Sequence, residues 1–157
     1  MCKIDFHSIH SSSFSQSSAA SDGMLYRITC RANELFERHC YKEAITEYTR
    51  ALIKSKPAID ETGATDFIAL IFANRSGAYC MLRQFEEAYK DAEIVIRLKP
   101  EWSQGYFRAG ESLLGLRRYK EACLSYEKTL ILDPKCQEAR LNLLRSRFHK
   151  ENGEMGT

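Results

Sequence analysis

Apolar residues recur every three or four positions over most of the chain, and this spacing predicts amphipathic helices. Residues 102–113 carry one apolar stripe and residues 119–130 carry a second. A short polar break, Arg117 and Arg118, separates the two stripes. The pattern therefore predicts two antiparallel helices that are joined by a tight turn.

This helix pair is repeated along the chain. The segments LRQFEEAYKDAEIVIRLKP and LRRYKEACLSYEKTLILDP align at a spacing of 34 residues, which places Ala122 after Ala88 and Pro134 after Pro100. An earlier copy, HCYKEAITEYTRALIKSKP, has Ala44 in the matching place. A period of this length is typical of proteins built from stacked helical repeats.

The first copy is separated from the second by ten extra residues near SKPAIDETGA, because Ala44 and Ala88 are 44 residues apart. A longer loop or two lengthened helices could absorb this insertion. The turn-forming residues Asp60, Thr62 and Gly63 favour a loop. We expect the next helix to begin near Thr65.

Prolines and small residues mark fixed positions of the repeat. Proline lacks a backbone N–H and disfavours helical geometry in the residue before it, so we expect Pro100 and Pro134 to end one helix and to occupy the first turn of the next. Small side chains allow two helices to approach closely. They fall at two positions, one held by Ala44, Ala88 and Ala122 and the other by Ala32, Ser76 and Gly110.

The 34-residue helix–turn–helix period, with these small, aromatic and proline positions, resembles the tetratricopeptide repeat. The resemblance covers about residues 24–134 and implies three repeats, at about 24–57, 68–100 and 101–134. It implies an all-α fold, an α-solenoid of antiparallel helix pairs with about seven helices that wind into a superhelix. Residues 135–150 resemble the extra helix that caps the last repeat, with Ala139, Leu141, Leu143, Leu144 and Phe148 as its apolar residues.

The two ends of the chain differ from the repeats. Eight of the fourteen residues from Ser8 to Ser21 are serine, and such a segment buries too little apolar surface to offset the entropy of ordering it. We predict a disordered arm over residues 1–23 and a flexible tail over residues 151–157.

Composition excludes several classes of protein. The net charge is +2, which is too balanced to predict nucleic-acid binding, and no apolar run reaches the ~20 residues of a membrane span. None of the six cysteines forms a C-x-x-C pair, so we expect free thiols in a reducing, cytoplasmic compartment and no metal site. Catalytic and phosphate-binding motifs are absent, so we predict a non-enzyme without a cofactor.

The resemblance also implies a function for the concave groove of the superhelix. In co-chaperone members of this family, five polar residues clamp the C-terminal carboxylates of heat-shock chaperone tails. The family pattern places Lys and Asn on the first helix, Asn on the third, and Lys and Arg on the fifth. By resemblance, RANELF supplies Asn33, FANRSGAY supplies Asn74 and EWSQGYFRAG supplies Arg108.

The two lysine positions of this pattern are altered, since Thr29 and Gln104 stand there. A charge-assisted hydrogen bond contributes about 1.5–3 kcal/mol, so the loss of two cations weakens such a clamp. Glu111, one turn after Arg108, adds negative charge near the groove.

Two readings follow. The chain is a monomeric adaptor whose groove binds a protein or peptide, with a heat-shock chaperone tail as one candidate, or it is a scaffold subunit that acts through its convex face or its cap helix. In the first reading Asn33, Asn74 and Arg108 bind the peptide. The alternative is that they pack helices together or serve a different ligand, with the Asn74 amide tying neighbouring helices by hydrogen bonds. The cap segment carries five cationic residues and one acidic residue, which suits an acidic partner, nucleic acid, a membrane surface or a solvated face.

Overall fold

The structure, a computed structural model, describes residues 19–55 and 64–154. Within these residues it contains seven α-helices and no strand, which confirms the predicted all-α solenoid. The helices are α1 (Ala19–Glu37), α2 (Tyr41–Ser55), α3 (Ala64–Met81), α4 (Phe85–Leu98), α5 (Ser103–Gly115), α6 (Tyr119–Leu132) and α7 (Gln137–Glu154). Among the described helices, none combines the length and the apolar character needed to cross a membrane.

The helices form two layers. Each helix packs against the next one along the chain, and the odd-numbered helices α1, α3, α5 and α7 also contact one another in sequence. Because the odd-numbered helices approach each other across successive repeats, the stack curves toward them. They therefore form the inner, concave layer of the solenoid.

The turn inside each repeat has the same backbone conformation in all three copies. His39, Arg83 and Arg117 adopt a left-handed conformation with φ near 60°. In each turn this residue and the next donate backbone hydrogen bonds to the preceding helix, for example from Arg117 N to Leu114 O at 3.1 Å and from Arg118 N to Leu113 O at 2.9 Å. This is the Schellman arrangement, which satisfies the last carbonyl groups of a helix and reverses the chain.

The prolines end helices, but the expectation that they begin the next helix is wrong. α4 ends at Leu98 and α5 begins at Ser103, so Pro100 lies between them in a turn. The Trp102 amide donates to the Lys99 carbonyl oxygen at 3.0 Å, which places Pro100 second in a four-residue turn. Proline is favoured there because its fixed φ matches the turn. Pro134 occupies the equivalent place before α7.

The helices extend beyond several predicted boundaries. α1 begins at Ala19 and α7 ends at Glu154, so residues 19–23 and 151–154 are helical although we assigned them to the arm and the tail. α3 has 18 residues and α5 has 13, so part of the insertion lengthens α3. The rest of the arm, the predicted loop and the end of the tail fall on residues 1–18, 56–63 and 155–157, outside the described residues.

The small residues lie where the helices of a repeat come closest. Ala44, Ala88 and Ala122 are completely buried, as are Ala32 and Ser76. At Gly110, an added Cβ would lie 2.7–2.9 Å from three ring carbons of Tyr126, which is closer than carbon atoms pack. Only glycine therefore fits against the Tyr126 ring at this position.

One arginine side chain forms a buried ion pair within the second repeat and a hydrogen bond to the first. The Arg75 guanidinium on α3 donates two 2.8 Å hydrogen bonds to the Asp91 carboxylate on α4 and one of 2.9 Å to the Thr49 hydroxyl on α2. Its cation also lies over the rings of Phe72 and Tyr79. Arg75 therefore holds three consecutive helices through one side chain.

Glycine at the left-handed turn positions should stabilise the fold. A left-handed conformation costs an L-residue about 1–2 kcal/mol, and part of this gain is offset by the greater flexibility of unfolded glycine. We expect Arg83→Gly and Arg117→Gly to raise the free energy of unfolding by about 0.5 kcal/mol each in urea titrations. The control Arg145→Gly, inside α7, should lower it by about 1 kcal/mol. Equal losses at all three positions would contradict the strain argument.

Candidate functional site

All five residues singled out by the sequence lie on the inner layer of helices. Thr29 and Asn33 are on α1, Asn74 is on α3, and Gln104 and Arg108 are on α5. Residues four apart lie on one face of a helix, so each pair on α1 and α5 shares a face. The solenoid thus carries the predicted positions on three neighbouring helices that line its concave side.

The two asparagines are joined in one hydrogen-bonded cluster with a buried tyrosine. The Asn74 amide donates to Asn33 Oδ1 at 3.2 Å, and the Tyr48 hydroxyl on α2 donates to the same oxygen at 2.5 Å. Asn33 and Asn74 are half-buried, whereas Tyr48 is 1% exposed. The hydrogen bond between the asparagines is the packing role that we gave as the alternative for Asn74, and their role in binding stays a prediction.

Arg108 extends this cluster with a positive charge. Burial raises the pKa of the Tyr48 hydroxyl, while the charge of Arg108 and a hydrogen bond with Asn74 act to lower it. Tyr48 therefore stays protonated and remains a hydrogen-bond donor at neutral pH. The charge of Arg108 thus acts on the hydroxyl that donates to Asn33.

The guanidinium rests on a glycine of the neighbouring helix. A Cβ atom added at Gly77 on α3 would lie 3.0–3.2 Å from Cζ, Nη1 and Nη2 of the Arg108 guanidinium. The Arg108 side chain is only 14% exposed, and its Nη1 donates to Glu111 Oε2 at 2.7 Å. The one cation of the predicted clamp is therefore seated between α3 and α5 and already paired with a carboxylate.

The two altered clamp positions supply no charge to the groove. Thr29 is completely buried, and its hydroxyl donates to the Leu25 carbonyl oxygen of its own helix at 3.0 Å. Gln104 is 8% exposed. Both side chains are uncharged and packed inside the domain, so Arg108 alone provides the positive charge among the five positions.

The polar groups of this site include a guanidinium, two amides and a protonated thiol. The nearby Cys80 thiol on α3 has a pKa raised to about 11, first by burial and then by the charge of Glu111, so it is not a thiolate at neutral pH. Among the residues that the structure describes, no group of three or more His, Cys, Asp or Glu could hold a metal ion. A guanidinium with amide groups beside it suits a carboxylate ligand.

Two residues of the site were missed by the sequence analysis. Tyr48 donates a hydrogen bond to Asn33. The sequence signal for it is that Tyr48 in the first copy of the repeat aligns with Tyr126 in the third copy, once the ten-residue insertion is allowed for. Gly77 provides the seat for Arg108. A glycine inside a helix points to close packing, and this one lies within the FANRSGAY motif that we had already quoted.

No protein-family model matches the chain, but its sequence is similar to those of several named proteins. Heat shock protein STI1 of Saccharomyces cerevisiae is 33% identical over 113 residues, which are 72% of this chain and 18% of the yeast protein. The chain spans less than a fifth of the length of the curated relatives that it matches first.

Two solved structures that resemble this fold contain a bound peptide. The second TPR domain of human RPAP3, in complex with the HSP70 peptide SGPTIEEVD, is 28% identical with a TM-score of 0.69 and covers 81% of this chain and 98% of its own. The first TPR of Spaghetti (RPAP3), bound to the HSP90 peptide SRMEEVD, is 26% identical with a TM-score of 0.68 and covers 78% and 90%.

The Tyr48 hydroxyl should contribute measurably to stability. Tyr48→Phe removes a buried hydrogen bond to Asn33, and we expect the free energy of unfolding to fall by about 1 kcal/mol in chemical denaturation. The control is Tyr41→Phe, because the Tyr41 hydroxyl contacts His39 Nδ1 at 2.7 Å in an exposed place. That change should cost less than about 0.5 kcal/mol. A cost at Tyr48 no larger than at Tyr41 would rule out the buried cluster.

Proposed function

The chain carries a tetratricopeptide repeat domain of three helix pairs and a capping helix, and we propose that it is a non-catalytic adaptor whose concave groove binds the acidic C-terminal tail of a heat-shock chaperone. The division into repeats at about 24–57, 68–100 and 101–134 is part of this proposal. The relatives named above support it, because related domains bind peptides that end in EEVD.

The observation that carries the proposal is that Arg108 packs against Gly77 of α3, the helix that carries Asn74, while Asn74 is hydrogen-bonded to Asn33 of α1. A C-terminal carboxylate needs several hydrogen-bond donors at fixed places, and a guanidinium is the side chain best suited to it. The Arg108 guanidinium packs against the backbone at Gly77, where the Cβ atom of any larger residue would crowd it. Its positive charge also acts on the Tyr48 hydroxyl, which donates to Asn33. We assign the contact with the tail carboxylate to Arg108, Asn33 and Asn74.

This groove should bind the tail more weakly than a groove with three cations. Thr29 and Gln104 replace two cations of the family pattern and are buried, so each removes a charge-assisted hydrogen bond. Glu111 competes as well, because its carboxylate occupies the same guanidinium that the peptide needs. The tail must therefore share the Arg108 guanidinium with Glu111 or displace it, and this competition lowers the net gain on binding.

The remaining features of the proposal describe where and how the adaptor works. We propose a monomer that needs no cofactor, works in the cytoplasm and binds neither nucleic acid nor membranes. The described cysteines are free thiols, which supports a reducing compartment. The protonated Cys80 thiol and the absence of a metal-binding group among the described residues support a role in binding rather than catalysis.

Arg108→Ala should weaken binding of the peptide SRMEEVD by about 10- to 100-fold in isothermal titration calorimetry, since it removes a charge-assisted contact of about 1.5–3 kcal/mol. Arg118→Ala is the matched control, because Arg118 is an exposed arginine that pairs with Glu121 on the outer helix α6. It should leave the affinity unchanged. The same peptide with an amidated C-terminus should bind the wild type no better than it binds Arg108→Ala. Unchanged affinity in Arg108→Ala would refute the assignment.

Glu111→Gln should strengthen binding of SRMEEVD by about 3- to 10-fold, because it frees Arg108 from a competing carboxylate. Glu121→Gln is the matched control: Glu121 forms the same kind of pair, three residues from its arginine, but on α6. It removes the same charge from the chain and should change the affinity by less than twofold. Equal gains in the two variants would mean that net charge, and not the Arg108 pair, controls binding.

A further inference from the structure

The capping helix α7 exposes an apolar stripe that the groove does not use. Leu141 is 66% exposed, Leu144 is 58% exposed and Phe148 is 63% exposed. Their spacing of three and four residues places them on one side of the helix. We expected five apolar residues of α7 to cover the last repeat, but only Ala139 and Leu143 are buried in the core with α6.

The register of the repeats explains what this stripe is. α7 begins 34 residues after α5, so Leu141, Leu144 and Phe148 correspond to three residues of α5. These residues of α5 are Phe107, Gly110 and Leu114. They face α6 and its core, and the rings of Phe107 and Tyr126 are 6.0 Å apart. The stripe on α7 is therefore the side that, in a complete repeat, is covered by the second helix of the pair.

One difference between α5 and α7 at equivalent positions sets the distance between α7 and any helix that docks on its stripe. Leu144 stands where α5 has Gly110, and Gly110 is what lets the Tyr126 ring approach its helix. A leucine keeps a neighbouring helix farther away and calls for a small residue opposite it. The occupant is therefore a helix that presents a small residue at its centre and apolar residues on either side.

The charges around the stripe select the chemistry of the occupant. Arg140, Arg145 and Arg147 are exposed beside it. Arg147 also pairs with Glu127 on α6 at 2.8 Å, and Arg140 donates to the Pro134 carbonyl oxygen at 2.9 Å. The rims of the stripe also carry Glu138 and Glu151, so three cations face two carboxylates and the net charge is positive. A second copy of this helix would oppose two surfaces of the same net positive charge, which is unfavourable. Carboxylates on a partner helix would instead meet cations on both sides of the stripe.

We propose that the outer face of α7, formed by Leu141, Leu144 and Phe148 with the three arginines beside them, binds an acidic amphipathic helix of a partner protein. The contact is the helix-in-groove type, with apolar anchors at three- and four-residue spacing and charged residues at the rim. None of the five groove positions takes part, so the chain would hold two partners at the same time.

The probe is a 20-residue synthetic helical peptide with Leu at positions spaced like the stripe, Ala at its centre and Glu on both flanks. We expect it to bind the full chain in fluorescence anisotropy at micromolar concentration. The same peptide with Lys in place of Glu should bind at least tenfold more weakly. Leu144→Ser and Phe148→Ser should each weaken binding of the acidic peptide at least tenfold. The matched control is Ile53→Ser, which changes an exposed apolar residue of the first repeat (62% exposed) and should have no effect.

Three results would overturn the proposal. The first is equal binding of the Glu and Lys peptides, or no loss in the α7 variants. The second is a dimer in sedimentation velocity that Phe148→Ser abolishes, since the occupant would then be a second copy. The third is binding to vesicles with anionic lipid that exceeds binding to the acidic peptide. Thermal unfolding of each variant, expected to match the wild type because the side chains are exposed, separates lost contact from lost fold.

Discussion

The close approach of two helices at one position of the repeat is the constraint on which the solenoid depends. Ala32, Ser76 and Gly110 occupy this position, and the first two have no exposed surface. At Gly110 the facing Tyr126 ring leaves no room even for a Cβ atom. Because each pair is held at this distance, successive pairs stack at a similar angle, and the odd-numbered helices come together on one side.

The groove follows from this stacking, and its chemistry follows from what the inner helices carry. At the five positions of the site, the inner helices carry one guanidinium and one pair of hydrogen-bonded amides, and the guanidinium forms an ion pair with Glu111 whose net charge is zero. Such a surface attracts anions less strongly than an unpaired cation does. It is more selective among anionic ligands, because a ligand needs a well-placed carboxylate to compete with Glu111. The outer face of α7 is different in kind, since its apolar area dominates and its charges lie at the edge.

The inner position of Asn33, Asn74 and Arg108 was predicted from the resemblance to the tetratricopeptide repeat. The repeat period was enough to predict the helix pairs and their order. It was enough because equivalent residues 34 apart must lie at equivalent places in a stack. The predicted boundaries of the helices were less accurate. α1 begins before its predicted limit, α7 ends after its own, and Pro100 lies in a turn. Periodicity determines neither the extent of a helix nor the type of a turn. The seat of Arg108 on Gly77 and its pairing with Glu111 required the structure, since rotamers and contacts between helices are set by tertiary packing.

The Arg75 side chain has a consequence for how the domain opens. In a stack where each repeat contacts only its neighbours, repeats can in principle unravel one at a time. Separating the first repeat from the second would leave the Arg75 guanidinium without its Thr49 contact, and opening the second would strand Asp91. Opening of the first repeat therefore removes one hydrogen bond from the guanidinium that also holds the buried ion pair of the second repeat. If the third repeat opened on its own, Arg108 would leave the groove with α5, while Asn33 and Asn74 would stay hydrogen-bonded to each other on α1 and α3.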